Sequence, residues 1–424
     1  MSAHAAAIGA LAAEHGLQCG EVVFERVPES FMQEVAVYGL PVRMRHWSYG
    51  LRYLRQMTMR HMGQSHIYEV MFPGRPCRAF LMDSNTEADD ALVTAHVLGH
   101  ADFVNRNALF ARFMEQAGGD ILAQSAARAR RIERAARQHG QAAVDAVLDA
   151  ALAIEAHVDL QSPLHRPASP CAAIGTPPLP ERDLLWFIAR HCPALQDWER
   201  DILLAVREEA LYFYPVYACQ IMNEGWASYW HARLLGEAAF LPDALYLEAI
   251  RAHSDIVRPC GDGQTALQLN PYQLGYALWE HIIDRHGLEG ARRICRDEDD
   301  FGFIRNYLDQ DFAARLQLFV HEQDKDGAAW LLTRALPDLH EAILAPRYNY
   351  GVPSIAALQV GAAGQLVLSH DHRRDGRGLA LPQAMRVLGY LARLWRRPAR
   401  RRCWARHSCS AAPGWLRAGR EGPA

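Results

Sequence analysis

Length, composition and charge exclude several classes of protein. The chain has 424 residues, of which 50% are hydrophobic and 22% are charged, so it can bury a large core and does not belong to the disordered class. Its formal net charge of -3 argues against a polyanionic partner, and we expect no nucleic acid. We also expect no membrane span, because no uncharged apolar run approaches the roughly 18 residues that a crossing helix requires.

The cysteines and the N-terminus predict a cytoplasmic protein. Nine cysteines are scattered along the chain without a Cys-x-x-Cys pair, a usage typical of a reducing compartment. The alanine-rich residues 1–20 lack the basic start and the cleavage site of a signal peptide. They predict an amphipathic helix instead.

Short β-structure precedes the first long helix. Residues 21–27 predict a strand, and a helix is expected from Glu29. The apolar runs Ile67–Phe72 and Cys77–Met82 are separated by Pro-Gly-Arg-Pro, which predicts a hairpin. This hairpin leads directly into the next helix, where it either binds an extended peptide or only braces the helix.

The next helix, predicted within Asn85–Leu109, carries two histidines four residues apart. Thr86 can cap its first turn, and three acidic residues favour the positive end of the helix dipole. His96 and His100 share one face of the helix, and Asn107 continues that stripe. A single metal ion can bridge two imidazoles at this spacing.

A third ligand is predicted on a later helix. Glu224 and His231 lie seven residues apart, so they share a face with Ser228 between them. With His96 and His100, Glu224 completes a His, His, Glu set that leaves one zinc coordination position open for water. The alternative is that Glu224 is the first-turn acid of a buried helix whose aromatic residues only pack.

The regions around this later helix predict a helical protein. Residues 116–156 have the periodicity of bundle helices, and their arginines form a solvated basic face. Residues 160–182 are rich in proline and predict a linker. Residues 184–235 are strongly helical, with a break expected at Pro215.

The C-terminal third predicts less regular structure. Asn270 caps a further helix, and residues 358–370 predict a second hairpin. Residues 396–424 form an atypical basic tail, either frameshifted or disordered, which we do not expect to pack into a core.

Three blocks of sequence resemble the stage V sporulation protein R (SpoVR) family. They read HVLGHADFVNRN at 96–107, NEGWASYWH at 223–231 and LNPYQLGYALWEHI at 269–282. HWSYG at 46–50 and CRAFLMDSNT at 77–86 fit the same pattern. The resemblance covers residues 1–395 and implies a link to spore cortex formation or, in bacteria that do not sporulate, to a stress response.

A weaker local resemblance is to zinc peptidases of the gluzincin type. Those enzymes place His-Glu-x-x-His on one helix and a Glu ligand on a later one, and their general base is the Glu after the first His. Here that position is Val97, which cannot accept a proton. Glu209 and His231 are the candidates to replace this base.

The sequence therefore predicts a mainly α-helical α+β protein with a large helical core at about 20–345 and a small β-containing part at about 346–395. It predicts a divalent metal, zinc or alternatively iron, held by His96, His100 and Glu224. Further residues are expected to bind substrate or to orient the ligands: Asn107, Asn223, Ser228, Asn270 and Tyr272. The chemistry is either hydrolysis of an amide or peptide bond or, without turnover, binding of an unknown protein or peptide partner in a sporulation or stress complex.

Overall fold

The structure is a computed structural model, and it confirms a mainly helical α+β fold. It describes residues 4–50, 69–116, 119–159, 181–258, 269–323, 329–361, 364–371, 378–396, 399–403 and 416–417. Among these residues, no helix combines the length and the apolar character needed to cross a membrane.

The chain forms two compact units that do not follow its linear order. The first unit comprises Met1–Arg43, Trp47–Ala126 and Pro215–Leu344. The second comprises Met44–His46, Ala127–Tyr214 and Ala345–Ala424. The domain boundary expected near residue 345 stays a prediction.

Helices account for most of the regular structure among the described residues. In chain order they are α1 (Ala5–Glu14), α2 (Glu29–Tyr38), α3 (Glu87–Arg106), α4 (Ala108–Gln116), α5 (Ile121–His139), α6 (Gln141–Ala153), α7 (Leu184–His191), α8 (Asp197–Ala218), α9 (Gln220–Glu237), α10 (Asp243–Val257), α11 (Pro271–Asp297), α12 (Asp300–Tyr307), α13 (Gln310–Arg315), α14 (Leu336–Leu344) and α15 (Leu381–Trp395). A 3-10 helix covers Ala345–Gly351.

The described strands form three small sheets. They are β1 (Val22–Val27), β2 (Glu69–Phe72), β3 (Cys77–Met82), β4 (Val320–Gln323), β5 (Ala329–Thr333), β6 (Ile355–Val360), β7 (Leu366–His370), β8 (Ala399–Cys403) and β9 (Leu416–Arg417). Both predicted hairpins are present, since β2 pairs antiparallel with β3 and β6 with β7.

The first sheet brings an edge strand to helix α3. Its order is β1-β3-β2, with β1 parallel to β3, so β2 has a described partner on one side only. In the β2–β3 pair, Glu69 lies opposite Leu81. Residues 67 and 68 of the predicted hairpin lie outside the described residues.

Helix α3 is buried on nearly all sides. Thr86 caps it as predicted, in a reciprocal capping box with Asp89. Buried residues run without a gap from Asp90 to Val104, the pattern of a helix enclosed by other elements. His96 and His100 lie in the middle of this enclosed stretch.

Small residues allow α3, α9 and α11 to approach closely. A Cβ added to Gly99 of α3 would lie 2.7 Å from the Cα of Ala227 on α9. On the other side of α9, Gly225 lies directly against Gly275 of α11. The backbone contacts at these two crossings bring the side chains next to the glycines into one region.

The predicted helix break at Pro215 is wrong by four residues. Helix α8 continues through Pro215 to Ala218, and the break lies at Cys219. The buried carboxylate of Asp300 accepts hydrogen bonds from the backbone N–H groups of Ile221 and Met222. The new helix begins where these free first-turn amides find an acceptor.

The second unit has its own sheet and core. Its four strands are ordered β6-β7-β8-β9, with β8 parallel to β7. Part of the basic tail thus extends this sheet, while residues 404–415 and 418–424 lie outside the described residues. The predicted linker also lies outside them for residues 160–180, and Glu181 pairs with Ala357 of β6.

Candidate metal centre

Two helices and one strand of the first unit bring two histidines and two carboxylates together. His96 and His100 lie on α3, Glu224 lies on α9 and Glu69 begins β2. Glu69, His96 and His100 offer ligand atoms that all lie within 4.8 Å of one another, so this group can hold a metal ion. Both histidines are about 95% buried.

Glu69 was not predicted as a ligand from the sequence. Its signal was a single acid within the apolar run Ile67–Phe72, which is equally typical of a strand residue facing solvent. The pairing of β2 with β3 turns this residue toward the histidines, and no spacing rule along the chain predicts such a contact.

Glu224, the predicted third ligand, lies beside both imidazoles. Its Oε2 is 3.6 Å from His96 Nε2 and 3.5 Å from His100 Nε2. Two ligand atoms of one tetrahedral zinc ion lie about 3.4 Å apart, given bonds of about 2.0–2.2 Å. Glu224 Oε2 therefore lies at about the ligand spacing from each of the two imidazole nitrogens.

Both carboxylates have a buried oxygen without a hydrogen bond. These atoms are Oε2 of Glu69 and Oε2 of Glu224. An unpaired buried oxygen on an ionised group carries a large desolvation cost, and a bound cation removes it. The donor set thus fits a divalent metal, and carboxylate with imidazole suits zinc or ferrous iron.

The charges in this cluster are strongly coupled. Burial opposes the ionisation of Glu224, but the charge of His100 and the close approach of both histidines outweigh it and hold the pKa of Glu224 well below its usual value. Burial likewise opposes protonation of His100, and Glu224 and Glu69 overcome it and raise its pKa to about 9. Burial raises the pKa of Glu69, against the effect of both histidines.

Two further side chains orient the imidazoles. Asn223 Oδ1 can only accept, so His100 Nδ1–H donates to it over 2.9 Å, and Nε2 is the nitrogen that faces Glu224. His96 Nδ1 lies 2.9 Å from Nδ1 of the fully buried His231. Outer contacts of this kind fix which nitrogen of a histidine faces a metal.

Comparison with known proteins agrees with the signature blocks. A family profile described as "SpoVR like protein" matches residues 1–172 and 165–335, which is more than half of the chain. The chain belongs to the SpoVR family. The predicted family resemblance is thereby confirmed.

This SpoVR family member is also similar to one curated bacterial protein. It is 27% identical over 318 residues to the "Uncharacterized protein YcgB" of Escherichia coli (strain K12). The alignment covers 65% of this chain and 60% of that relative, so the chain spans less than two thirds of the relative's length. No solved structure matches the chain. The gluzincin resemblance finds no support in these comparisons.

Tyr272 lies beside His96 in this SpoVR site, and Ser228 lies one helical turn after Glu224 on α9. The Tyr272 ring stacks on that of His96, with centroids 6.3 Å apart. The negative charge of Glu224, together with burial, raises the pKa of Tyr272 well above its usual value, so its phenol stays protonated. Ser228 is fully buried, and its Oγ has no hydrogen-bond partner.

Asn107 and Asn270 hold the scaffold. The Asn107 amide donates to the carbonyls of Cys295 and Glu298, and its oxygen accepts from the N–H groups that begin α4. Asn270 caps α11 and donates to the carbonyls of Ile256 and Arg258. These bonds use both amides as caps and cross-links, and a role in substrate binding stays a prediction.

Two other buried acids, the candidate base Glu209 and Asp102, have different partners. Glu209 belongs to the second unit, where it is buried 3.6 Å from the guanidinium of Arg128. Asp102, two residues after His100, accepts from Trp226 Nε1 and from Arg106. Val97 is fully buried in the core.

Proposed function

We propose that this SpoVR family protein binds one divalent metal ion through His96, His100 and Glu224, with Glu69 as a second carboxylate. The observation that carries the proposal is the buried, unpaired Oε2 of Glu224 at about the ligand spacing from two imidazole nitrogens, with a second unpaired carboxylate oxygen on Glu69, whose ligand atoms cluster with the same histidines. We propose zinc as the metal and ferrous iron as the alternative, because both accept imidazole and carboxylate ligands.

The reaction proposed for this centre is hydrolysis of an amide or peptide bond. A divalent metal at such a site supplies a Lewis acid and lowers the pKa of bound water. Glu69 would be the proton acceptor of such a site, since Val97 provides none on α3. Burial raises the pKa of Glu69, which brings this carboxylate closer to the range of an effective general base.

Tyr272 contributes a hydrogen-bond donor to the proposed site. Its phenol stays protonated beside Glu224 and can hold the carboxylate in one orientation. Asn223 does the same for His100 through its side-chain oxygen. Tyr272 and Asn223 thus each hold one proposed ligand in place without binding the metal themselves.

The first experiment is the metal content of the full chain purified without added metal, measured by elemental mass spectrometry. We expect about one zinc or iron per chain, lost in His96→Ala and in Glu224→Gln. Glu237→Gln is the matched control, because Glu237 is an exposed carboxylate on the same helix. A folded wild type that stays empty when zinc and ferrous iron are supplied would sink the metal proposal.

The second proposed function is binding of a protein or peptide partner without turnover, in a sporulation or stress complex. The residue after His96 is Val97, which cannot accept a proton, and this favours binding without turnover. Screening amide and peptide substrates with wild type and Glu69→Gln distinguishes hydrolysis from partner binding without turnover. Hydrolysis that falls by about 100-fold or more in Glu69→Gln, with metal retained, supports the hydrolase and its base. Metal binding with no hydrolysis supports the partner-binding protein.

A further inference from the structure

Three imidazoles are in contact between the candidate metal centre and the surface of the first unit. His96 Nδ1 lies 2.9 Å from His231 Nδ1, and His231 Nε2 lies 2.6 Å from His253 Nδ1. His96 and His231 are buried, whereas His253 on α10 is only partly buried. The sequence did not single out His253, which lies outside all of the signature blocks.

These contacts restrict where the protons can lie. A hydrogen bond between two neutral imidazoles needs one N–H and one lone pair. If His96 is to offer the lone pair of Nε2 to a metal, its proton lies on Nδ1 and is donated to His231 Nδ1. His231 then carries its proton on Nε2 and donates it to His253 Nδ1. The order of the three rings allows this single arrangement for a metal-binding His96.

If the two hydrogen bonds between the imidazoles run in the opposite direction, His96 cannot bind a metal through Nε2. A proton on His253 Nδ1 would be donated to His231 Nε2, and a proton on His231 Nδ1 would be donated to His96 Nδ1. The proton of His96 would then lie on Nε2, facing Glu224 and blocking the lone pair. The direction of two hydrogen bonds thus decides whether His96 is a ligand.

Ring packing holds the two outer imidazoles of this hydrogen-bonded row, His96 and His253. The His96 ring stacks on Tyr272 at the inner end. At the outer end, His253 lies edge-on to the Tyr276 ring, with centroids 5.4 Å apart. Tyr276 is itself held by its hydroxyl, which donates to Glu280 over 2.9 Å. This packing limits rotation of the His253 ring, which would break its hydrogen bond with His231.

We propose that His231 and His253 are positioning residues that keep the proton of His96 on Nδ1, so that His96 Nε2 faces the metal. The inference rests on the metal site of the proposed function. It assigns a role to a histidine on α10, a helix that contributes no ligand to that site. Contacts of this outer kind are worth about 10- to 100-fold in metal affinity.

The direct test is long-range proton–nitrogen NMR of the full chain labelled with ¹⁵N-histidine, with and without zinc. We expect His231 and His253 to carry their protons on Nε2 in both states, with signals assigned by their loss in His231→Gln and His253→Asn. A proton on Nδ1 of His231 in the zinc-loaded protein would overturn the proposal. If the wild type takes up no metal, the proposed function fails, and the zinc-free spectra still show in which direction the two hydrogen bonds between the imidazoles run.

Zinc affinity provides a second readout, measured by competition with a chromogenic chelator. We expect His253→Phe to weaken zinc binding by about 10-fold or more, because its ring cannot accept from His231. His253→Asn should restore most of the affinity, since its side-chain oxygen can accept. Ser254→Ala on the same helix is the control and should bind like wild type. A folded His253→Phe with unchanged affinity contradicts the proposal.

Discussion

Gly225 on α9 lies so close to Gly275 on α11 that an added Cβ would come within 2.2 Å of the Gly275 carbonyl carbon. The obstruction is backbone, which no side-chain rotation relieves. This crossing holds the turn of α9 that carries Glu224 next to the helix that carries Tyr272. The close contact therefore links the packing of the core to the geometry of the candidate metal centre.

We predict that Gly225→Ala separates the two helices. The expected loss is about 1–3 kcal/mol in the free energy of unfolding, from overpacking, together with weaker metal binding as Glu224 moves. Urea denaturation and zinc titration measure the two effects. Gly236→Ala is the control, because no atom lies within 4 Å of its Cβ position on the same helix. It should be neutral or stabilise α9 by up to about 1 kcal/mol.

Metal should stabilise the folded protein if the proposed centre is real. At a free zinc concentration of about 100 times the dissociation constant, we expect the free energy of unfolding to rise by about 2.7 kcal/mol. Glu224→Gln should lose this increment because it removes a ligand, whereas Glu237→Gln should keep it. Thermal unfolding with zinc and with a chelator provides the measurement. An equal zinc effect in wild type and Glu224→Gln would count against Glu224 as a ligand.

Asp102 should be structural although it lies two residues from His100. It accepts hydrogen bonds from Trp226, from Arg106 and from the backbone N–H of Gln18. Asp102→Ala leaves these buried donors unpaired, and we expect a loss of about 3 kcal/mol or more. Asp102→Asn keeps an acceptor and should cost less. Metal content of Asp102→Asn should equal that of wild type, and its loss would place Asp102 in the metal site.

His157 in the second unit should make stability depend on pH. Burial lowers its pKa to about 4, although its Nε2–H donates to the Pro353 carbonyl. Because the unfolded chain has a pKa near 6.5, it binds the proton first as the pH falls. Stability from this group is complete above about pH 6.5 and is lost between there and about pH 4, by roughly 3 kcal/mol.

The matched variant for this effect is His157→Gln, whose amide can still donate to Pro353. Urea unfolding of both proteins across pH 4 to 7.5 isolates the contribution of His157 from that of other titrating groups. We expect the free energy of unfolding of His157→Gln to fall less steeply below pH 6.5. Parallel curves would show that His157 titrates alike in the folded and unfolded chains.

Local pattern was enough to predict much of the fold. The capping residue Thr86 and the four-residue spacing of His96 and His100 are properties of one helix, and both hairpins are marked by turn residues between apolar runs. The family blocks could be recognised for the same reason, because each block is a continuous stretch of the sequence. The break after α8 was misplaced because its true position depends on Asp300, far along the sequence.

The contacts that would make a metal centre depend on long-range packing. Glu69 reaches the histidines because β2 pairs with β3 at a sheet edge, and His253 reaches His231 because α10 packs beside α9. Neither residue stands at a helical or strand spacing from its partner. Hydrophobic burial brings these segments together, and it acts between parts of the chain whose sequence separation carries no periodic signal.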